Sequence, residues 1–207
     1  MTMRVANHDP TFTAAAEPTW EIARLFPTQG DWTVEDYLAL DTNQLIEFTN
    51  GHLEFLSMPT PRHQRIVVFL YRILWAFITE RQLGEVLVAP LRVRVSLEKF
   101  REPDLVFVLA EHLTWQGEHF WAGVDLVVEV VSPDDPDRDY VKKRKDYASA
   151  GIAEYWIVDP LKQAITVLTL KGETYTEHGV FTPGTAATST LLAGFAVDVT
   201  EVFAAAK

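Results

Sequence analysis

Asp125-Leu126-Val127-Val128-Glu129-Val130-Val131-Ser132-Pro133 is a short apolar run with a carboxylate near its centre. Val and Leu dominate it and Ser-Pro closes it, so it reads as a buried strand rather than a helix. Alternation along a strand puts Asp125, Val127, Glu129 and Val131 on one face and Leu126, Val128 and Val130 on the other. An ionised Glu in such a strand needs a cation, a metal or several donors, because burying it alone is very costly.

Two neighbours in sequence supply candidates. Upstream, Glu102-Pro103-Asp104-Leu105-Val106-Phe107-Val108 is a second apolar strand with Asp104 at its entry. Downstream, Asp139, Lys143 and Tyr147 are spaced four residues apart on an expected helix over Asp139–Ala150, so they line one face. Two carboxylates on adjacent strands plus a lysine can hold a divalent cation and activate water.

Working outward, Thr33 opens a short helix, with Asp36 completing a capping box. Leu45–Thr49, Asn50-Gly51 and His52–Leu56 predict a hairpin, since Asn-Gly suits a type I′ turn. Glu47 and Glu54 lie on its arms, and the hairpin pattern alone makes both ordinary solvent-face charges. A long helix is expected over His63–Leu83, ended by Gly84. His63 sits in its first turn, where a lone His reads as a surface or capping residue. Glu85–Ser96 reads as a strand pair or one strand bent at Pro90. Its Arg92 and Arg94 alternate with Val93 and Val95. Glu98–Arg101 is expected as a turn and His112–Trp121 as a loop. Gly151 ends the lysine helix. Strands follow at Glu154–Asp159, Ala164–Leu170 and Thr174–Thr182, the last at an edge, and Leu191–Phe203 closes the chain with a short helix. Residues 1–30 lack periodicity and read as an arm or tail. Residues 31–207 read as one α/β domain.

Composition narrows the function. The 207 residues include no cysteine, which excludes disulfides and thiolate metal sites and leaves oxygen or imidazole ligands. No apolar run reaches membrane-spanning length, because Arg72 interrupts Ile66–Ile78, and no long apolar leader opens the chain. A cytoplasmic protein without membrane partners is the expectation. The net charge of −11 argues against a broad, nonspecific grip on nucleic acid. Charge is uneven, however: Arg138, Lys142, Lys143, Arg144 and Lys145 cluster, and Arg92 and Arg94 form a second patch. Such strips are compatible with a phosphate-bearing substrate.

The ordered set Glu47 to Gly51, Pro59 to His63, Pro103-Asp104, Glu129–Pro133, Asp139-Lys143-Tyr147 and Gly151–Trp156 with Asp159-Pro160 resembles the Uma-two family. Its members are classed as endonucleases in the PD-(D/E)XK, restriction-endonuclease-like superfamily. The resemblance runs from about Thr33 to Phe203 and is most specific between Glu129 and Asp159. It implies a central mixed β-sheet flanked by helices, with the site at one edge. It implies that Asp104 and Glu129 hold Mg²⁺ or Mn²⁺, with the Val130 carbonyl as a further ligand. A lysine would orient the attacking water or help deprotonate it. Glu47 would join the acidic cluster, against the bland reading above, and His63 matches a family histidine. The superfamily's usual lysine stands two residues after the glutamate, where this chain has Val131. Lys143 is the natural substitute, oriented by Asp139 and Tyr147. Lys142 is the fallback, about 100° around the helix.

Three functional readings follow. The first is a metal-dependent endonuclease acting on nucleic acid, DNA above all, as a homodimer, with Arg92, Arg94, Lys142 and Arg144 contacting the backbone. The second is a nuclease fold that no longer cuts and serves in binding or assembly, which the acidic balance and Val131 favour. The third is a buried ion-pair network of Asp104, Glu129 and Lys143 that only supports structure. Glu47, a third carboxylate for one lysine, weighs against the last.

Overall fold

The computed structural model describes residues 24–42 and 44–206. The expected N-terminal arm therefore lies largely outside the described residues. Its last part packs on the hairpin: Gln29 Nε2 donates to Leu53 O (2.9 Å), and Leu53 N donates to Gln29 Oε1 (2.8 Å).

Helix α1 (Val34–Leu38) starts at the expected Thr33–Asp36 capping box. Strands β1 (Ile46–Thr49) and β2 (His52–Phe55) form the hairpin, and Asn50 (φ 45°) and Gly51 (φ 79°) supply the two left-handed turn residues. Helix α2 (Pro61–Arg81) follows, with the Thr60 side chain accepting from His63 N. It ends before Gly84. Gln82, at φ 53°, makes the left-handed turn instead. Gly84 has another task, since a Cβ there would stand 1.9 Å from Val108 O. Only glycine lets strand β3 (Gly84–Val88) come so close to its neighbour.

Glu85–Ser96 is neither one strand nor a pair in one sheet. The chain turns at Ala89-Pro90, and β4 (Val93–Ser96) enters a different sheet from β3. Glu98–Arg101 is not all turn either, because Lys99–Arg101 forms β5 between β1 and β4. A four-stranded antiparallel sheet, ordered β2-β1-β5-β4, results. Tyr37 from α1, Phe48 and Phe100 pack together in its core.

The main sheet has six strands in the order β10-β9-β8-β7-β6-β3. Its other members are β6 (Leu105–Leu109), β7 (Leu126–Val130), β8 (Glu154–Asp159), β9 (Ala164–Lys171) and β10 (Thr174–Phe181). Every pairing is antiparallel except β7 with β8. A parallel pair requires a crossover, and here the crossover is the segment that carries Lys143. It contains a π turn over Arg138–Lys143 and helix α3 (Arg144–Ser149), where a single α-helix was expected. Gly151, at φ 78°, ends it as anticipated. Strands β11 (Ala186–Thr188) and β12 (Ala196–Asp198) and helix α4 (Val199–Ala204) complete the described chain. No described helix is long and apolar enough to cross a membrane.

The alternation read from the sequence holds on β7. Leu126, Val128 and Val130 pack under α2, beside its Ile66, Leu70, Leu74 and Ile78. Val127 and Val131 face the other way, into a core with Val93, Val95, Tyr147 and Tyr155. Glu129 lies on that second face, under the crossover.

Candidate active site

Antiparallel pairing brings the entry of β6 and the exit of β7 to one end of the main sheet, since Leu105 pairs with Val128. Asp104 and Val130 therefore meet, and Val130 N donates to Asp104 Oδ2 (2.8 Å). On the β8 side Val131 N donates to Val158 O (2.8 Å). Alternation then turns the backbone of Val130 toward β6 and Asp104.

The first turn of α2 supplies His63, whose Nε2 lies 3.1 Å from Asp104 Oδ2. Burial works against a charged ring here, but Asp104 prevails and raises the His63 pKa above the ordinary value. The lone histidine is thus a buried partner of Asp104 and not a surface residue. Its Nδ1 has no hydrogen-bond partner among the described residues.

The crossover covers Glu129. Tyr147 Oη donates to Glu129 Oε1, and Lys143 Nζ stands 2.8 Å from the same oxygen. Lys143 also lies 3.5 Å from Asp139 Oδ1 and 3.6 Å from Glu47 Oε1. Burial pushes the Glu129 carboxyl up to about 8; Lys143 pulls it down, and Asp104 and Asp139 push it further up. Burial, with Asp104 nearby, also raises Asp139. Burial opposes the charge on Lys143, yet Glu129, Glu47 and Asp139 outweigh it and hold the ammonium well above the usual lysine range. Lys143 is therefore a fixed positive charge.

Glu47 is not a solvent-face residue, being 1% exposed. Its Oε2 accepts from Arg138 Nη2 (2.8 Å) and lies 3.5 Å from Arg101 Nε. Burial would raise its pKa, but Lys143, Arg101 and Arg138 together lower it. Arg101 and Arg138 were not among the expected site residues. A π turn bonds residue i to i+5, which brings Arg138 and Lys143 around to one side. That spacing falls on different faces of an ordinary α-helix and so hides in the sequence.

These groups border a cleft of about 110 Å³. Glu102, Asp104, Glu129, Asp134, Asp135 and Asp139 line it, against Arg138 and Lys143. Glu102 is buried and its Oε2 lacks a partner among the described residues; burial, with Glu47 adding to it and Arg92 opposing, raises its pKa to about 7. The expected backbone-contact residues are placed elsewhere. None of Arg92, Arg94, Lys142 and Arg144 lines the cleft. Arg92 sits over the Tyr37 ring and donates to Leu38 O and Leu40 O. Arg94 sits over Phe120, and Arg144 donates to Tyr175 O (3.1 Å). Lys142 is the nearest, exposed and 3.1 Å from Asp135.

No set of three or more His, Asp or Glu side chains converges in metal-binding geometry among the described residues. The donor set nevertheless suits a hard, hydrated cation. Asp104 and Glu129 each leave one carboxylate oxygen, Oδ1 and Oε2, without a hydrogen bond among the described residues. Mg²⁺ commonly takes one or two carboxylates and fills its shell with water and substrate phosphate.

The model of the Uma2 family, described as "Putative restriction endonuclease", matches residues 34–200. The chain belongs to the Uma2 family. It is also similar to a solved structure from Anabaena variabilis ATCC 29413, reported as "a putative nuclease belonging to DUF820". The two share 17% identity and a TM-score of 0.72 over 85% of this chain and 99% of the other, a likeness that establishes the restriction-endonuclease-like fold. No curated protein matches the chain. In this Uma2 protein the residue two after Glu129 is Val131, which is buried in the core under α3. Lys143, from the crossover, brings its ammonium to Glu129 instead.

Proposed function

We propose that this protein is a metal-dependent nuclease that hydrolyses phosphodiester bonds, with DNA as substrate and Mg²⁺ or Mn²⁺ as cation. One observation carries the reading. Asp104 and Glu129 line one acidic cleft, each held through one oxygen and each leaving the other, Oδ1 and Oε2, without a hydrogen bond among the described residues. Carboxylate oxygens left open beside a cleft suit a cation that arrives with the substrate.

Asp104, Glu129 and the carbonyl of Val130 would hold the cation. When bound, it would polarise a phosphate oxygen and lower the pKa of a water molecule. His63 holds Asp104 in place through Oδ2, leaving Oδ1 for the ligand role. Tyr147 and Lys143 fix Glu129 in the same way through Oε1. Lys143, kept charged, stabilises negative charge that develops on the phosphate and is not a base. Asp139 and Glu47 hold Lys143 in position. A cut across both strands of a duplex would use two copies of this chain, and light scattering tests that homodimer.

A second reading, a fold that binds without cutting, is favoured by the ion pairs already made by Asp104 and Glu129. Supercoiled plasmid incubated with Mg²⁺ or Mn²⁺, wild type beside Glu129→Gln, separates the two. Nicking that drops by about two or more orders of magnitude in the variant is the expected outcome. Equal nicking by both would remove Glu129 from the chemistry. No nicking by either, with thermal stabilisation by Mn²⁺ lost in Glu129→Gln, would leave a metal-binding module.

A further inference from the structure

We infer that Arg138 is the residue that grips the substrate phosphodiester, and that Glu54 occupies this grip in the free protein. The inference rests on the nuclease reading above. Arg138 and Lys143 are the lysine and arginine side chains that line the cleft. Lys143 is 6% exposed and has three carboxylates around it. The Arg138 side chain, at 17% exposed, is the more accessible cation.

Its two ends are held very differently. Nη2 donates to Glu47 Oε2 at 2.8 Å, and that carboxylate is buried. Releasing this end would leave a buried charge less well compensated. Nη1 lies 3.2 Å from Glu54 Oε1, an ion pair without a hydrogen bond, and the Glu54 side chain is 53% exposed. An exposed pair of this kind contributes little. Glu47 and Glu54 are direct cross-strand partners, so the hairpin presents two like charges side by side and Arg138 spans them. A guanidinium can keep one carboxylate on one nitrogen and offer the other to an anion, which an ammonium cannot do with the same planar fork. A phosphate oxygen entering the cleft would therefore displace Glu54 and leave the Glu47 anchor intact.

The test is fluorescence anisotropy with fluorescein-labelled single-stranded and duplex DNA, Ca²⁺ replacing Mg²⁺, in four variants beside the wild type. Glu54→Gln should tighten binding about two- to fivefold, the worth of one exposed ion pair. Asp135→Asn removes a carboxylate that lines the cleft and pairs with Lys142, not with the Arg138 guanidinium, and should gain less. Arg138→Lys, which keeps a cation on Glu47, should weaken binding about tenfold. In Arg138→Lys the added Glu54→Gln change should bring no gain beyond that of Asp135→Asn. A Glu54→Gln gain that equals the Asp135→Asn gain, or that persists in the Arg138→Lys background, overturns this inference alone. A wild type that neither binds nor nicks DNA overturns the nuclease reading and this inference with it.

Discussion

Glu129 is buried beside Lys143 and near the carboxylates of Asp104 and Asp139. Burial above all pushes its carboxyl up to about 8, against 4.5 for the ordinary side chain. A group raised in this way contributes stability that is present below 4.5 and lost as pH climbs to about 8. Asp139, Glu102 and His63 are raised as well and act in the same direction, each from its own ordinary value. Glu47 is lowered, and its contribution is instead lost toward acid. Urea unfolding of the metal-free protein should therefore show stability falling from about pH 5 to 8, and Glu129→Gln should flatten that slope. The same proton competes with a cation, so Mn²⁺ affinity should rise through this window in the wild type. An equally steep stability slope in Glu129→Gln would mean that Glu129 is ionised throughout. His63 and Glu47 illustrate what residue-level reading misses: both looked like surface residues. Asp104 lies 41 positions after the one, and Arg138 lies 91 positions after the other.

The π turn is the element on which the site depends. It carries an extra residue relative to an α-helix, and Val141 within it is exposed. Inserting an alanine after Val141 should rotate Arg138 and Asp139 by about 100° relative to Lys143, whereas deleting Val141 leaves Arg138 four residues before Lys143 on one α-helical face. The insertion should abolish plasmid nicking and the deletion should not. An insertion variant that cuts normally would show that the spacing of Arg138 and Lys143 is immaterial. Gly84 looks like a helix stop in sequence. The stop is made by Gln82, and glycine is needed where β3 meets Val108.

At the scale of the whole molecule the net charge of −11 sets the terms of any encounter with a polyanion. The cleft itself is acidic, and three of the four arginine and lysine residues expected on the substrate are committed to rings or backbone carbonyls elsewhere. DNA binding without a divalent cation should therefore be too weak to measure in anisotropy titrations at physiological salt. With Ca²⁺ present, log K against log salt should fall with a slope of only about −1 to −3, the mark of few phosphate contacts. A slope near −6 or steeper would point to an extended basic surface. The six-stranded sheet adds to this picture, because its single parallel pairing forces the crossover over the end of β7.

Local chemistry determined much of this protein. The Asn50-Gly51 hairpin, the Thr33 cap, the two-faced β7 strand and the run Glu154–Asp159 rest on periodicity and turn geometry among neighbouring residues, and each formed as expected. The need of Glu129 for a compensating charge was equally legible, since a carboxylate in an apolar strand cannot stand alone. The tertiary structure alone decided which charges meet that need. It drew Arg138 to Glu47, sent Arg92 to Tyr37, buried His63 on Asp104 and split Glu85–Ser96 between two sheets. The physical reason is that helices and strands arise from short-range alternation, whereas ion pairs form wherever the packed chain brings opposite charges together, at any separation in sequence.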